Sequence, residues 1–274
     1  MLFHFMNEWF GEFQTEDVML SMKYTKNILH KKSKFQEIDL IENSTYGRVL
    51  FIDKTFQLTE KDEFIYHEML AHIPLFSHEN PEKVLIIGGG DGGLARECLK
   101  HNIKKIYLVE IDEDVVNISK EYLPGISSSF QDKRLKLFID DGSEFIKKTD
   151  EKFDVVLVDS TDPVGPASVL FEKEFYKNVK NILNENGIIG TQSGSPFLYP
   201  EHLKKAYFNM KNVFKFVDVY TATVPTYPGA IWSFTFASER KISRKRDVNI
   251  PTKYYTKEIH DCKCFPAFVN QLIG

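Results

Sequence analysis

The sequence predicts an α/β fold: a mainly parallel sheet covered by helices on both faces, preceded by a small antiparallel β domain. Three observations carry that prediction. From residue 83 onward, continuous apolar runs alternate with amphipathic stretches, the pattern of strands buried on both faces beneath crossover helices. Residues 17–60 lack helical periodicity and hold short β-forming segments instead. VLIIGGGDGG at 84–93 sets a glycine cluster between a strand and a helix, as in nucleotide-binding βαβ units. The boundary is expected near residue 60, giving an N-terminal β domain over 1–60 and a catalytic domain over 61–274.

The β domain is read from VMLSMKY, FQEIDLI, VLFID and TFQLT. Asp53-Lys54 joins the last two, where a two-residue hairpin turn needs positive φ at both central positions. A left-handed lysine costs about 1–2 kcal/mol, so another turn type is expected. Thr59 to Asp62 resembles a capping box ahead of EFIYHEMLAHI, a helix expected to stop at Pro74. Then KVLIIG, KIYLVEID, LKLFIDDG, FDVVLVDS and NGIIGTQS read as strands. LARECLKH, EDVVNISKEYL, FEKEFYKNVKNIL and HLKKAYFNMKNVF read as helices. DVYTATV and IWSFTFA close the sheet with no helix between them, so the last strand is expected to be antiparallel. Residues 250–274 are expected to form a surface segment with a short helix.

The 274 residues are 42% apolar and carry a net charge of −4. That balance argues against a nucleic-acid binder, and the short basic run from Arg240 to Arg246 reads as a solvated linker. MLFHFMNEWF lacks a basic n-region and a cleavage site and is too short to span a bilayer. The three cysteines, Cys98, Cys262 and Cys264, form no metal-type pattern. A reduced, cytoplasmic protein is expected.

Gly88, Gly90 and Gly93 satisfy G-x-G-x-x-G, and Glu110 ends the next strand 22 positions after Gly88, where an acid holds a ribose. Asp91 inside the loop is the unusual feature. A pyrophosphate would lie where Asp91 points, and two like charges about 4 Å apart cost on the order of 4 kcal/mol at an effective dielectric of 20. A nucleoside carrying positive charge would gain instead, although Asp91 could also simply cap the helix. Further carboxylates fall at strand ends: Asp140, Asp141, Asp159 and Asp162. With Asp91 and Glu110, the last three are expected to converge on one crevice. Such a crevice needs a cation, and the absence of clustered histidines favours an organic polycation over a metal. His67 and His72 stand five apart, off the spacing of a helical zinc motif, and His72 reads as a packing residue.

DEFIYHEML (62–70), VLIIGGGDGG (84–93), VEID (109–112), DDG (140–142), DSTDPVGPA (159–167) and PTYP (225–228) together closely resemble the spermidine synthases, the putrescine aminopropyltransferases. The resemblance runs in the same order over nearly the whole chain. It implies a seven-stranded methyltransferase-like Rossmann domain behind the β domain, and a homodimer or homotetramer. It implies transfer of an aminopropyl group from decarboxylated S-adenosylmethionine, a co-substrate, to putrescine, with no prosthetic group, metal, nucleic acid or membrane involved.

By that resemblance Asp159 is the catalytic acid-base residue, and Asp91 with Asp159 holds the amine of the aminopropyl group. Glu110 and Gln36 take the ribose, and Asp141 and Gly142 meet the adenine. Pro166 lies in a segment that closes over the site. Tyr66, Asp162 and Tyr227 line the diamine channel, Gln57 and His67 match further binding positions, and Trp9 walls the far end. Two places depart from the family pattern. Lys54 stands where glycine is usual, and HDCKCFPAFV (260–269) replaces the usual His-x-Ala-Ala-Phe.

The chemistry is displacement at the carbon beside a sulfonium, with a thioether leaving. At pH 7 only roughly one in 10³ of a lysine-like amine is unprotonated, so the attacking amine must lose a proton to Asp159 or arrive without it. Ordinary S-adenosylmethionine carries a carboxylate that Asp91 and Asp159 would repel. Pro163 biases Asp162 towards extended backbone, and Gly165 leaves a hinge before Pro166. The alternatives are another acceptor (cadaverine, agmatine or spermidine), an S-adenosylmethionine-dependent amine methyltransferase, a nicotinamide dehydrogenase, or a polyamine-binding protein without activity.

Overall fold

The computed structural model describes residues 8–163, 165–241, 249–261 and 266–274. Cys262, Cys264, most of the Arg240–Arg246 run and the start of the N-terminal apolar stretch lie outside the described residues. The N-terminal part contains two antiparallel sheets rather than one. β1 (Trp9–Phe13) and β2 (Met19–Lys23) form a ribbon. β3 (Lys26–Lys32), β4 (Glu37–Asn43), β5 (Gly47–Ile52) and β6 (Thr55–Thr59) form a meander. The sequence reading missed β1 and β3, because each mixes charged and apolar residues without a clean alternation.

The turn between β5 and β6 corrects the expectation for Asp53-Lys54. Both residues are left-handed, at φ 48° and 65°, the geometry of a two-residue hairpin. Ile52 pairs directly with Thr55, so no other turn length fits, and burial of Phe51 and Phe56 holds that register. Asp53 also accepts from Glu37 N at 2.8 Å.

Helix α1 (Glu63–Ser77) corrects two further expectations. Its N-cap is Asp62, not Thr59. The Thr59 hydroxyl donates to Asp62 Oδ1 at 2.6 Å, and Asp62 Oδ2 accepts from Thr226 N and Oγ1. Pro74 does not end the helix. The chain holds one more turn, with Ser77 Oγ donating to Ile73 O and His78 N to Pro74 O, while the proline ring packs where Gly190 has no Cβ.

The main sheet has seven strands in the order β12-β13-β11-β10-β7-β8-β9. They are β7 (Lys83–Gly88), β8 (Lys105–Glu110), β9 (Leu135–Ile139), β10 (Phe153–Asp159), β11 (Leu183–Gln192), β12 (Phe216–Thr223) and β13 (Ile231–Ser238). β13 runs antiparallel to β11 and β12, as expected, and the other pairs are parallel. Alternate residues feed opposite cores: Val84, Ile86, Val155 and Leu157 face α1, whereas Leu85, Ile87, Val156 and Val158 face Phe175, Tyr176 and Val179. Beyond the reading, a short helix α4 (Gly142–Lys148) follows β9. The other helices are α2 (Gly93–Cys98), α3 (Glu113–Tyr122), α5 (Lys173–Ile182), α6 (Pro200–Lys211), α7 (Lys257–Asp261) and α8 (Ala267–Ile273).

The tail is not merely a surface segment. Glu68 of α1 accepts from the backbone N–H groups of Lys253, Tyr254 and Tyr255, Tyr255 and His260 are buried, and Val269 packs with Leu203 and Tyr207. Cys98 is buried in the core. Among the described residues no helix is long and apolar enough to cross a membrane.

The chain order places β7 between β10 and β8. The connections therefore leave in opposite directions at the carboxyl ends of β7 and β10, a switch point where a crevice must open. There Asp159 pairs with Gly88.

Candidate active site

The glycine loop is shaped by what must approach it. Gly88, Gly89 and Gly92 adopt φ of 81°, 71° and 83°, a region that disfavours side chains. A Cβ on Gly88 would stand 2.0 Å from Asp159 O, one on Gly90 2.9 Å from Glu110 Cγ, and one on Gly93 2.3 Å from His67 Cε1. The three fingerprint glycines thus admit the strand end bearing Asp159, the acid of β8 and a buried imidazole.

Asp91 and Asp159 lie at the centre. Asp91 Oδ1 accepts from Gly93 N at 2.6 Å and faces His67 Nε2 at 3.3 Å, while Oδ2 makes no hydrogen bond among the described residues. Asp159 Oδ1 accepts from the buried Tyr66 hydroxyl at 2.7 Å, and Oδ2 is buried without a partner. One ligand-capable atom from each of His67, Asp91 and Asp159 falls within 4.8 Å of the others. Burial, then the charge of Asp91, push the Asp159 carboxyl up to about 6 against the pull of His67 and Tyr66. Burial would raise Asp91 as well, but His67 and the Gly93 N–H outweigh it and hold that carboxyl below its ordinary value.

His67 is committed on both sides: Nδ1 lies 2.6 Å from Glu63 Oε2, and Nε2 faces Asp91. Burial alone would pull the imidazole down; the two carboxylates push it well above its ordinary value. An imidazole protonated on both nitrogens would have no lone pair for a metal. His72 is buried as expected, and it also bonds to Glu97 and His101.

On the β8 side, Glu110 accepts from Asp112 N at 2.9 Å and Gly90 N at 3.2 Å, and burial pushes its carboxyl up to about 7. Gln36, between β3 and β4, reaches the same group through Asp112, its Nε2 donating to Asp112 Oδ2 at 3.0 Å. Asp141 caps α4: its Oδ1 accepts from Ser143 N at 2.7 Å and Glu144 N at 3.2 Å, which holds the carboxyl low against partial burial. The Gly142 Cα lies against Ile87, and Asp140 is exposed.

In the other direction an aromatic wall leads away from Asp159. The rings of Tyr66 and Tyr227 are 5.6 Å apart, Tyr227 meets Trp232 at 4.7 Å, and the Tyr227 hydroxyl donates to Gln57 O at 2.5 Å. Beyond it stand Asp162 and His202, whose facing Oδ1 and Nδ1 are 3.9 Å apart, both atoms buried and without a hydrogen-bond partner among the described residues. Gln192 Nε2 donates to Ser160 O at 3.1 Å and steadies this segment. Gly165–Phe171 forms a 3-10 turn, and the Pro166 side chain lies outside what the structure describes.

The five acids expected to converge on one crevice are therefore held differently from one another. Asp91 and Asp159 meet, Glu110 adjoins them across Gly90, Asp141 turns an oxygen onto its own helix, and Asp162 stands at the far end. The reading missed Glu12 there. It lies on β1, only 7% exposed, with Oε2 accepting from Phe56 N at 2.9 Å; burial, opposed by that bond and helped by Asp162, pushes its carboxyl up to about 7. Trp9, on the same strand, is 45% exposed. Glu63 and Arg96 were also missed, although the Glu63–His67 spacing of four was visible in the sequence.

Comparison with known proteins agrees with this geometry. The spermine/spermidine synthase domain matches residues 63–246, and the spermidine synthase tetramerisation domain matches residues 8–60. The polyamine aminopropyltransferase of Thermoanaerobacter sp. is 45% identical over 273 residues, covering 97% of this chain and 99% of that one. That of Thermoplasma volcanium is 46% identical over 270 residues, covering 98% of each. A spermidine synthase crystallised with the transition-state analogue AdoDATO superposes with a TM-score of 0.93 at 40% identity, covering 98% of this chain and 95% of that one. The Thermotoga maritima spermidine synthase superposes at 0.91, also at 40% identity, covering 97% and 94%.

Proposed function

Because the chain belongs to the spermine/spermidine synthase family and is a polyamine aminopropyltransferase using decarboxylated S-adenosylmethionine, we propose that its acceptor is putrescine and its product spermidine. One observation carries the reading: Asp91 and Asp159 are each held by one oxygen, and the other makes no hydrogen bond among the described residues. Two such carboxylates are receptors for ammonium hydrogens.

In this reading Glu110 and Gln36 hold the ribose, and Asp141 and Gly142 border the adenine. Asp91 and Asp159 take the aminopropyl amine, and Pro166 belongs to the closing segment. Tyr66, Tyr227 and Gln57 wall the diamine, His67 acts behind Asp91, and Asp162 receives the distal amine with Glu12. The near amine of putrescine gives up a proton towards Asp159, and its lone pair attacks the carbon beside sulfur. The C–S bond breaks with its electrons on sulfur, and 5′-methylthioadenosine leaves. One proton is released for each spermidine formed. Raising Asp159 from 3.8 to about 6 narrows the proton-transfer gap to the amine by about 3 kcal/mol, and holding amine and carbon in line lowers the entropic barrier.

The N-terminal strands match a tetramerisation domain, and a homo-oligomer, dimer or tetramer, is part of the proposal. The test is a panel of putrescine, cadaverine, agmatine and spermidine with product mass determination. Spermidine and methylthioadenosine in equal amounts, with putrescine preferred by kcat/KM, support the reading. Preference for another amine overturns the acceptor, and S-adenosylhomocysteine from S-adenosylmethionine overturns the transfer.

A further inference from the structure

The Glu63–His67–Asp91 row does something the aminopropyl site needs. His67 is 3% exposed and faces a carboxylate on each ring nitrogen, at 2.6 and 3.3 Å. A neutral imidazole has a single N–H, so it would turn a lone pair on one of those carboxylates. Only the imidazolium donates to both. The surroundings on every packed element agree. Glu63 comes from α1, Asp91 from the loop after β7 and Asp159 from the end of β10. Against these three acids stands the Arg96 guanidinium of α2, which donates to Glu63 Oε2 at 2.8 Å and to Glu97 at 3.0 Å. The uncharged Tyr66 ring meets the imidazole edge-on at 5.5 Å. Gly93, whose Cβ would strike His67 Cε1, makes the room.

We propose that Glu63 is a positioning residue for the transfer reaction: it keeps His67 a double donor, so that Asp91 is pinned by Oδ1 and presents Oδ2 to the aminopropyl ammonium. This deepens the function proposed above and rests on it. A stabilising ion pair within α1 would need only Glu63 and His67. The third member, Asp91, is what ties the pair to the pocket.

Glu63→Gln keeps size and removes charge. Arg96 donates to the Glu63 oxygen that faces His67, so it keeps the introduced amide oxygen, an acceptor only, turned to the ring. Below the pKa of His67 the clamp survives; above it, the neutral ring either turns a lone pair to Asp91 or loses its bond to that oxygen. The variant should therefore lose affinity for the aminopropyl donor by about tenfold or more at about pH 8 relative to about pH 6. Binding of methylthioadenosine, which has no amine, should stay level at both. KM for the donor should rise with kcat little changed. Glu63→Asp should restore the pH profile. Nitrogen-15 NMR of the full-length enzyme should find His67 carrying two N–H protons at about pH 8 in the unsubstituted protein and one in Glu63→Gln. Two protons in the variant at that pH, parallel losses of donor and methylthioadenosine binding, or one proton in the unsubstituted protein would each overturn the proposal. The NMR and binding arms use no acceptor amine, so they stand whether or not the acceptor panel supports putrescine.

Discussion

Tyr66→Phe tests how the pocket sets the basicity of Asp159. The hydroxyl donates to Asp159 Oδ1 at 2.7 Å, and Oδ2 has no partner among the described residues, so the substitution removes the one hydrogen bond that those residues give this carboxylate. The ring itself packs 5.4 Å from Phe234 and 5.6 Å from Tyr227, contacts that phenylalanine keeps. A hydrogen bond to an ionised group contributes about 1.5–3 kcal/mol, and one pKa unit is about 1.4 kcal/mol. The bond favours the ionised form, so its loss raises Asp159 from about 6 to about 7–8. Asp159 works ionised, so the acid limb of kcat/KM should move up by about 1–2 units. Near pH 6 the variant should lose roughly five- to fiftyfold, and the two profiles should converge above about pH 9. Initial rates of methylthioadenosine release across that range, with the donor below saturation, measure it. Glu110 and Glu12 also sit at about 7, but neither bonds to Tyr66, so their contribution to the limb stays fixed. A uniform loss at every pH, with the limb unmoved, would leave Tyr66 a packing residue and refute the reasoning.

The other expectations concern charge and backbone. Asp159→Asn should lower turnover by about 10² or more, the usual cost of an acid-base group; a variant with nearly full turnover would remove Asp159 from that role. Asp91→Ala should weaken binding of the decarboxylated donor more than of methylthioadenosine, measured by calorimetry, and equal losses would contradict the contact. Glu12→Gln should raise KM for the diamine and leave KM for the donor alone. In the unsubstituted enzyme that KM should fall as pH rises through about 7, where Glu12 gains its charge, and the dependence should vanish in the variant. Lys54→Gly relieves a side chain at φ 65° and should raise unfolding stability by about 1 kcal/mol in urea melts; a destabilised variant would show that Lys54 contributes more than strain.

The main sheet was legible because burial on both faces leaves continuous apolar strands: β7, β8, β10, β13 and the second half of β11 follow that rule, whereas the edge strands β9 and β12 are only partly buried. What escaped was held by specific contacts. β1 carries Glu12 inward among apolar neighbours, and no hydrophobic pattern announces a buried acid whose partner is the N–H of Phe56, 44 residues away. Pro74 reads as a stop, yet its neighbour is Gly190 on strand β11, and the ring fits only because that residue has no side chain. α4 was missed because its Asp141 cap was taken as a site acid alone; it is the N-cap of a helix too short to show periodicity. The candidate acids could be listed from the sequence because each stands at or just past the end of a strand or in the glycine loop. Their grouping was not legible, since strand ends give position along the sheet but not which oxygen is already bonded.

That last distinction separates the acids by task. Glu110 receives two backbone N–H groups, and the bonded oxygen of Asp141 likewise receives two. Asp91 receives one N–H and faces the His67 ring. Asp159 receives a single hydroxyl, and Asp162 Oδ1 none. A carboxylate whose charge the protein satisfies can meet a neutral ribose or adenine. One left unsatisfied in a buried place is costly until a cation arrives. The two least satisfied acids stand three residues apart on the segment leaving β10, with Tyr66 and Tyr227 alongside. The proposed guest must therefore bring positive charge to both and present methylene groups to the aromatic rings between them. A diamine does so, and a monoamine of equal length leaves one acid unmet. Replacing putrescine by 1-aminobutane should thus raise KM by about tenfold or more while kcat falls less. Equal KM values would mean that the far acid does not read the second amine.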